Sequence, residues 1–248
     1  MPAQSVDDGL RAINLGNPTY EGICVEHDAY VSALRSAGVD VTVLPPLEEF
    51  PDSLFVEDPA LVFIEGAILL RPGAPSRAAE ARELAPILRE LFDVVLDLLS
   101  GHADGGDVLV TPQNVMIGLS DRTDRAGAEA LAACLTELGR ASTIVETPDD
   151  VLHLKSACSL LDEETMLCTL GLAGTGIFDG FRQVVTPDGE DAAANALRVN
   201  EMVLVGASFP RTIERLGGLG YAVVPLETSE IGKIDAGLSC MSLRWWSA

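Results

Sequence analysis

A unit of hairpin, helix and strand recurs along this chain, and that repetition limits its fold more than any single motif does. Residues 60–64 and 67–70 are apolar runs joined by Glu65-Gly66, the pattern of a β-hairpin. A helical spacing over 77–91 follows, then a strand at 93–98. The cycle returns with strands at 107–111 and 114–119, a helix at 124–138 and a strand at 142–145. It returns at 157–161 and 165–170, where Asp162-Glu-Glu164 makes the turn and a poorer helix precedes strand 183–185. The last full copy runs through 196–199, 202–205, a helix at 211–216 and a strand at 221–225. Each ββαβ unit occupies roughly 45 residues, inside the period range of repeat and propeller architectures.

Two pieces are left over. Residues 1–24 read as loop, a helix at 28–37 ends at Gly38, and strand 39–44 stops at Pro45-Pro46. At the other end, a strand at 239–244 has no helix after it. The economical solution closes a ring by setting the last strand beside the first helix and strand. Cys240 then lies on a central strand at the seam. A complete fifth unit needs one more strand, which residues 1–20 do not supply. The expectation is an α/β fold, a single domain over 1–248 with its N-terminal strand missing, through imperfect closure or a true start upstream of Met1.

Composition narrows the class. Hydrophobic residues make up 48% and aromatics only 5%, so the core must be aliphatic. No apolar run reaches the ~18 residues of a membrane span, and the N-terminus has no secretory pattern. The five cysteines are scattered without zinc-ligand spacing, which suits a reduced, cytoplasmic protein. A net charge of −22 argues against nucleic acid or an anionic membrane as partner. It favours a cationic small molecule, although acidic surfaces also simply keep proteins soluble.

Four polar clusters fall at hairpin edges. Asp52, Glu57 and Asp58 crowd the segment before the first hairpin, where neighbouring carboxylates repel unless a cation settles them. His102-Ala-Asp-Gly-Gly-Asp107 leads into the next hairpin, and its two glycines allow close backbone approach. His153 sits in Leu152-His-Leu-Lys-Ser156 and reads equally as a satisfied core histidine. Arg77 and Arg122 lie near hairpin ends; they could clamp a carboxylate, although such arginines are more often surface charges. Cys240 follows Gly237-Leu-Ser, at the mouth of an expected strand; most lone cysteines are small buried hydrophobes, and a catalytic one needs a base in space. Thiol, imidazole, carboxylates and arginines together make a poor metal set. They suit covalent attack on a guanidinium whose carbon is made more electrophilic by forked hydrogen bonds.

Asp52-Ser-Leu-Phe-Val-Glu-Asp58, Asp104-Gly-Gly-Asp107, Leu152-His-Leu-Lys-Ser156 and Gly237-Leu-Ser-Cys-Met-Ser-Leu243 resemble, in order, the signatures of the dimethylarginine dimethylaminohydrolases. That family belongs to the guanidino-group-modifying superfamily with the pentein fold, a five-bladed αβ-propeller. The resemblance covers about Asp8 to Trp245. It implies Cys240 as nucleophile, His153 as proton donor and then water activator, and Asp104 as the second acidic position of the catalytic set. It implies that Asp58 holds the substrate guanidinium, with Glu57, Asp52 and Phe55 shaping the subsite. Arg77 and Arg122 would bind the α-carboxylate, and Asp8-Gly-Leu10 matches a lid. The implied reaction turns Nω-methylated arginine into citrulline and an alkylamine with no cofactor and no metal; a homodimer is compatible with it. Aspartate stands at Asp104 where the family's better-known members carry glutamate, which leaves arginine or citrulline open as substrates. A catalytically dead member used as a binding module is the remaining alternative.

Overall fold

All four complete repeats fold as three-stranded sheets built the same way, in a computed structural model that describes residues 1–246. In the first, β1 (Ala60–Phe63) pairs antiparallel with β2 (Gly66–Leu69), and β3 (Val95–Asp97) adds parallel to β2. The parallel third strand needs a crossover, which α2 (Glu80–Leu91) supplies. The second sheet uses β4 (Val108–Val110), β5 (Val115–Leu119) and β6 (Ser142–Glu146), with α3 (Arg125–Glu137) as the crossover. The third uses β7 (Cys158–Leu160), β8 (Thr165–Cys168) and β9 (Arg182–Val185), with only one turn of helix in α4 (Leu170–Ala173). The fourth uses β10 (Leu197–Val199), β11 (Met202–Gly206) and β12 (Ala222–Leu226) around α5 (Pro210–Gly218).

The helix starts follow local chemistry. Asp124 accepts from Gly127 N–H at 2.7 Å and caps α3, and Thr169 does the same for α4. Pro210 opens α5 at a position where its missing N–H costs nothing. The helix preceding the repeats, α1 (Tyr20–Ser36), begins eight residues earlier than the expected residue 28, because Thr19 caps Gly22 N–H there. It ends, as expected, at Gly38 in the left-handed region, φ 84°.

Two expected strands do not form. Residues 39–44 and 239–244 take no part in any described sheet. Their alternation is real, but β propensity expresses packing on a pleated surface and has no force without a ladder partner.

The chain divides into two compact units. One contains Met1–Leu54 and Ser156–Ser239; the other contains Phe55–Lys155 and the chain from Cys240. In the first, α1 lies against β12, and Leu161, Leu167, Val203, Val205 and Leu216 form an aliphatic core. The buried Glu26 carboxylate ties α1 to the segment after β12, accepting from Glu230 N–H at 2.8 Å and Ile231 N–H at 2.9 Å. In the second, Ile68, Ile117, Leu131 and Leu135 are completely covered and centre the core on α3. Truncating any of them to alanine would cost about 3 kcal/mol. Among the described residues, no helix is long and apolar enough to cross a membrane.

Candidate active site

The second unit gathers Asp58, Asp104, His153 and Cys240 from four distant stretches of chain. The hairpin-entry turn Gly105–Asp107 is the hub. Gly105 packs so tightly that a Cβ there would lie 1.9 Å from the Glu57 carbonyl, and at Gly106 one would meet the His153 ring at 2.8 Å. The two glycines thus permit the close approach that their spacing suggested. Gly106 N–H donates to Asp58 Oδ1 at 3.0 Å, and Gly105 N–H to the Asp58 carbonyl at 3.0 Å.

His153 Nε2 lies 3.2 Å from Asp104 Oδ2, while Asp104 Oδ1 accepts from Gly73 N–H at 2.7 Å. Asp107, next in the turn, accepts from Ser120 Oγ and Thr123 Oγ1 at 2.7 Å each, and from Leu154 N–H at 2.9 Å. It therefore holds the main chain one residue past the imidazole. Burial alone would lower the His153 pKa. The hydrogen bond to Asp104 and the charges of Asp58 and Asp107 outweigh it, raising the pKa to about 9. At neutral pH this imidazole is a cation held among acids, an arrangement suited to giving a proton to a leaving amine. Burial raises the pKa of Asp107. Asp58 is also pushed up by burial, but Arg77, His153 and the Gly106 N–H more than offset this and leave its carboxyl below the ordinary range.

Arg77 is not a surface charge. It is 4% exposed, pairs with Asp58, lies 2.7 Å from Glu80 Oε2 and donates to the Phe55 carbonyl at 2.9 Å. A buried guanidinium persists only where carboxylates and carbonyls meet its planar fork, and this segment provides them. Glu80, three residues on, carried a readable i,i+3 signal that the sequence analysis missed. Arg122 is half-buried, its N–H donating to Ser120 Oγ at 3.0 Å. Phe55 is buried and offers its carbonyl. Glu57 is buried too, with Lys155 Nζ at 2.6 Å and Arg244 Nη2 at 3.3 Å from its Oε1. Lys155 lies inside the Leu152–Ser156 motif and Arg244 directly follows the Gly237–Leu243 motif, and local sequence singled out neither. Asp52 and Leu10 belong to the first unit, where Leu10 N–H donates to Asp52 Oδ1 at 2.9 Å.

Cys240 is half-buried, and its carbonyl accepts from Glu57 N–H at 3.1 Å. It sits in a turn rather than on a strand. Asp58, Asp104 and His153 place one ligand atom each within 4.8 Å of one another, a set that could hold a cation. The protonated imidazole would have to lose its proton before it could ligate.

The arginine deiminase family model matches residues 45–200. A dimethylarginine dimethylaminohydrolase of Pseudomonas aeruginosa is 39% identical over 98% of this chain and 96% of its own length. A solved structure of the P. aeruginosa enzyme, a cysteine-to-serine variant complexed with citrulline, superposes with a TM-score of 0.95 over 98% of this chain and 96% of that one. A histidine-to-glycine variant of a dimethylarginine dimethylaminohydrolase, in an adduct with S-methyl-L-thiocitrulline, matches at 39% identity, with the same TM-score of 0.95 and the same coverage of 98% and 96%. The chain belongs to the dimethylarginine dimethylaminohydrolases, within the wider arginine deiminase family of guanidino-modifying enzymes.

Proposed function

We propose that this protein hydrolyses Nω-methylated L-arginine to L-citrulline and dimethylamine or methylamine. The observation that carries the reading is the partly buried imidazolium of His153, held by Asp104 beside Asp58 in the unit that contains Cys240. Asp58 takes one edge of the substrate guanidinium. The Cys240 thiolate adds to the guanidinium carbon, His153 protonates the departing alkylamine, and an S-alkylthiouronium remains on sulfur. The now neutral imidazole takes a proton from water as the oxygen adds to that carbon. Collapse expels the thiolate and leaves the ureido group of citrulline. The citrulline complex and the thiocitrulline adduct of the relatives belong to the product end and the covalent stage of such a reaction.

Of the two arginines expected to bind the substrate α-carboxylate, Arg122 keeps that role in this reading, whereas the Arg77 guanidinium is already engaged. Arg77 sits on Asp58 and Glu80 in this structure, so the incoming guanidinium competes with it for Asp58. The five free cysteines suit a reducing cytoplasm.

Separate assays of citrulline, alkylamine and ornithine, with asymmetric dimethylarginine, monomethylarginine, arginine and citrulline as substrates, test the proposal. Citrulline formed mainly from the methylated substrates supports it; full turnover by Cys240→Ser would sink it. A second reading, hydrolysis of unmethylated arginine, draws on the arginine deiminase family match and on the short Asp104 side chain. Preferential turnover of arginine by kcat/KM would select it.

A further inference from the structure

Glu57 is the crossing point of three chain segments that the secondary structure leaves separate. Its Oε1 is shared by Lys155 Nζ at 2.6 Å and Arg244 Nη2 at 3.3 Å, and its N–H donates to the Cys240 carbonyl at 3.1 Å. Lys155 lies two residues beyond His153, Arg244 lies four beyond Cys240, and Glu57 itself adjoins Asp58. The Glu57 side chain is 5% exposed, that of Lys155 12% and that of Arg244 30%. An ion pair this covered survives because each charge is met, and breaking it strands a buried charge. Arg244 also reaches back to the Ser242 carbonyl at 2.8 Å and Ser242 Oγ at 2.5 Å, which stiffens the loop after the thiol.

We infer that Glu57 is a positioning residue: its carboxylate, clasped by Lys155 and Arg244, sets the Cys240 loop against the His153 loop. The inference rests on the roles given above to Cys240 and His153. Residues 239–246 join no strand, so hydrogen-bond ladders do not hold this loop in place. Glu57 therefore acts on the approach of sulfur to the substrate carbon rather than as a contact to the guanidinium. Lys155 and Arg244 become functional residues that reach the chemistry through it.

Lys155→Met and Arg244→Met test the inference from two separate segments, with Lys155→Arg as the conservative variant. Each methionine variant is expected to lower kcat roughly 10- to 100-fold while KM stays within about threefold, because misplacing a reacting group costs the chemical step. Lys155→Arg should recover most of that loss. Amide hydrogen exchange through 238–246 should quicken in both methionine variants, as should the spread of iodoacetamide labelling rates at Cys240. A raised KM at unchanged kcat would overturn the inference in favour of direct substrate contact. Unchanged kcat with unchanged exchange would overturn it outright. Exchange and labelling need no substrate, so they decide the matter even if every methylarginine proves inert, an outcome that would sink only the proposed reaction.

Discussion

Asp107 and Glu190 each precede a hairpin in one of the four repeats, Asp107 directly before β4 and Glu190 seven residues before β10, and each reaches across to residues at or just before its repeat's helix. Asp107 takes the hydroxyls of Ser120 and Thr123 just before α3. Glu190 takes the N–H groups of Arg211 and Thr212 in the first turn of α5, with the Thr212 hydroxyl. Yet the two titrate in opposite directions. Burial raises Asp107. At Glu190 burial also acts upward, but the hydrogen bonds from Thr212 and Arg211 outweigh it and the pKa falls. The covering matters: Glu190 is roofed by Arg211, 58% exposed, so it is hidden but shallow, whereas Asp107 lies within the turn that follows Asp104 and packs against the His153 ring. A carboxylate staple is thus part of the repeat's construction. The second unit has placed additional acids around that staple, and the outcome is a charged imidazole.

The largest effect expected of that difference concerns the thiols. Cys240→Ser should lower turnover at least ~10³-fold, as loss of a nucleophile does. Cys168→Ser in the first unit should leave turnover unchanged; its thiol is buried and pushed up to about 11. Iodoacetamide labelling of both sites followed by mass spectrometry checks the contrast, and faster labelling of Cys168 would break it.

Next in size is the His153 titration. With a pKa of about 9, the imidazolium persists through neutral pH, so kcat/KM should fall as pH rises through 9. Asp104→Asn should move that falling limb to lower pH and reduce activity about 100-fold. The same pairing stabilises the fold fully below the ordinary histidine pKa of 6.5 and is lost as pH rises through 9, which urea unfolding across that window would register.

The staples themselves come third. Asp107→Ala should cost about 3 kcal/mol, because it leaves two hydroxyls and the Leu154 N–H without their charged acceptor. Glu190→Gln should cost about 1 kcal/mol, the worth of a helix cap. Its effect should shrink as pH falls through the lowered carboxyl pKa, since that stability is present only above it. Equal losses from the two substitutions, read by thermal unfolding, would erase the distinction between the regions. The smallest change expected is a gain: Gly217→Ala in α5 meets nothing within 4 Å and should stabilise by about 0.5–1 kcal/mol. Gly105→Ala, with the Glu57 carbonyl in its way at 1.9 Å, should do the reverse and disturb the site with it.

Much of this was legible in order. The helix expected at 124–138 is Arg125–Glu137, and the hairpin expected at 196–205 is Leu197–Val199 with Met202–Gly206. Hairpins and crossover helices are local objects; their turns, caps and periodicity lie within a dozen or so residues. The strands expected at 39–44 and 239–244 failed for the complementary reason, since pairing depends on a partner that local alternation cannot name.

By itself the sequence determined the ββαβ repeat, the residue types that carry chemistry and their place at hairpin entries, because all three are written in neighbouring residues. Only the tertiary structure decided that Arg77 turns inward to Asp58 and Glu80, that Lys155 and Arg244 meet on Glu57, and that His153 is a cation at neutral pH. Desolvation and Coulomb attraction act through space. Asp104 and His153 are 49 positions apart in the chain and 3.2 Å apart in the fold, and the charge on the imidazole answers to the second distance.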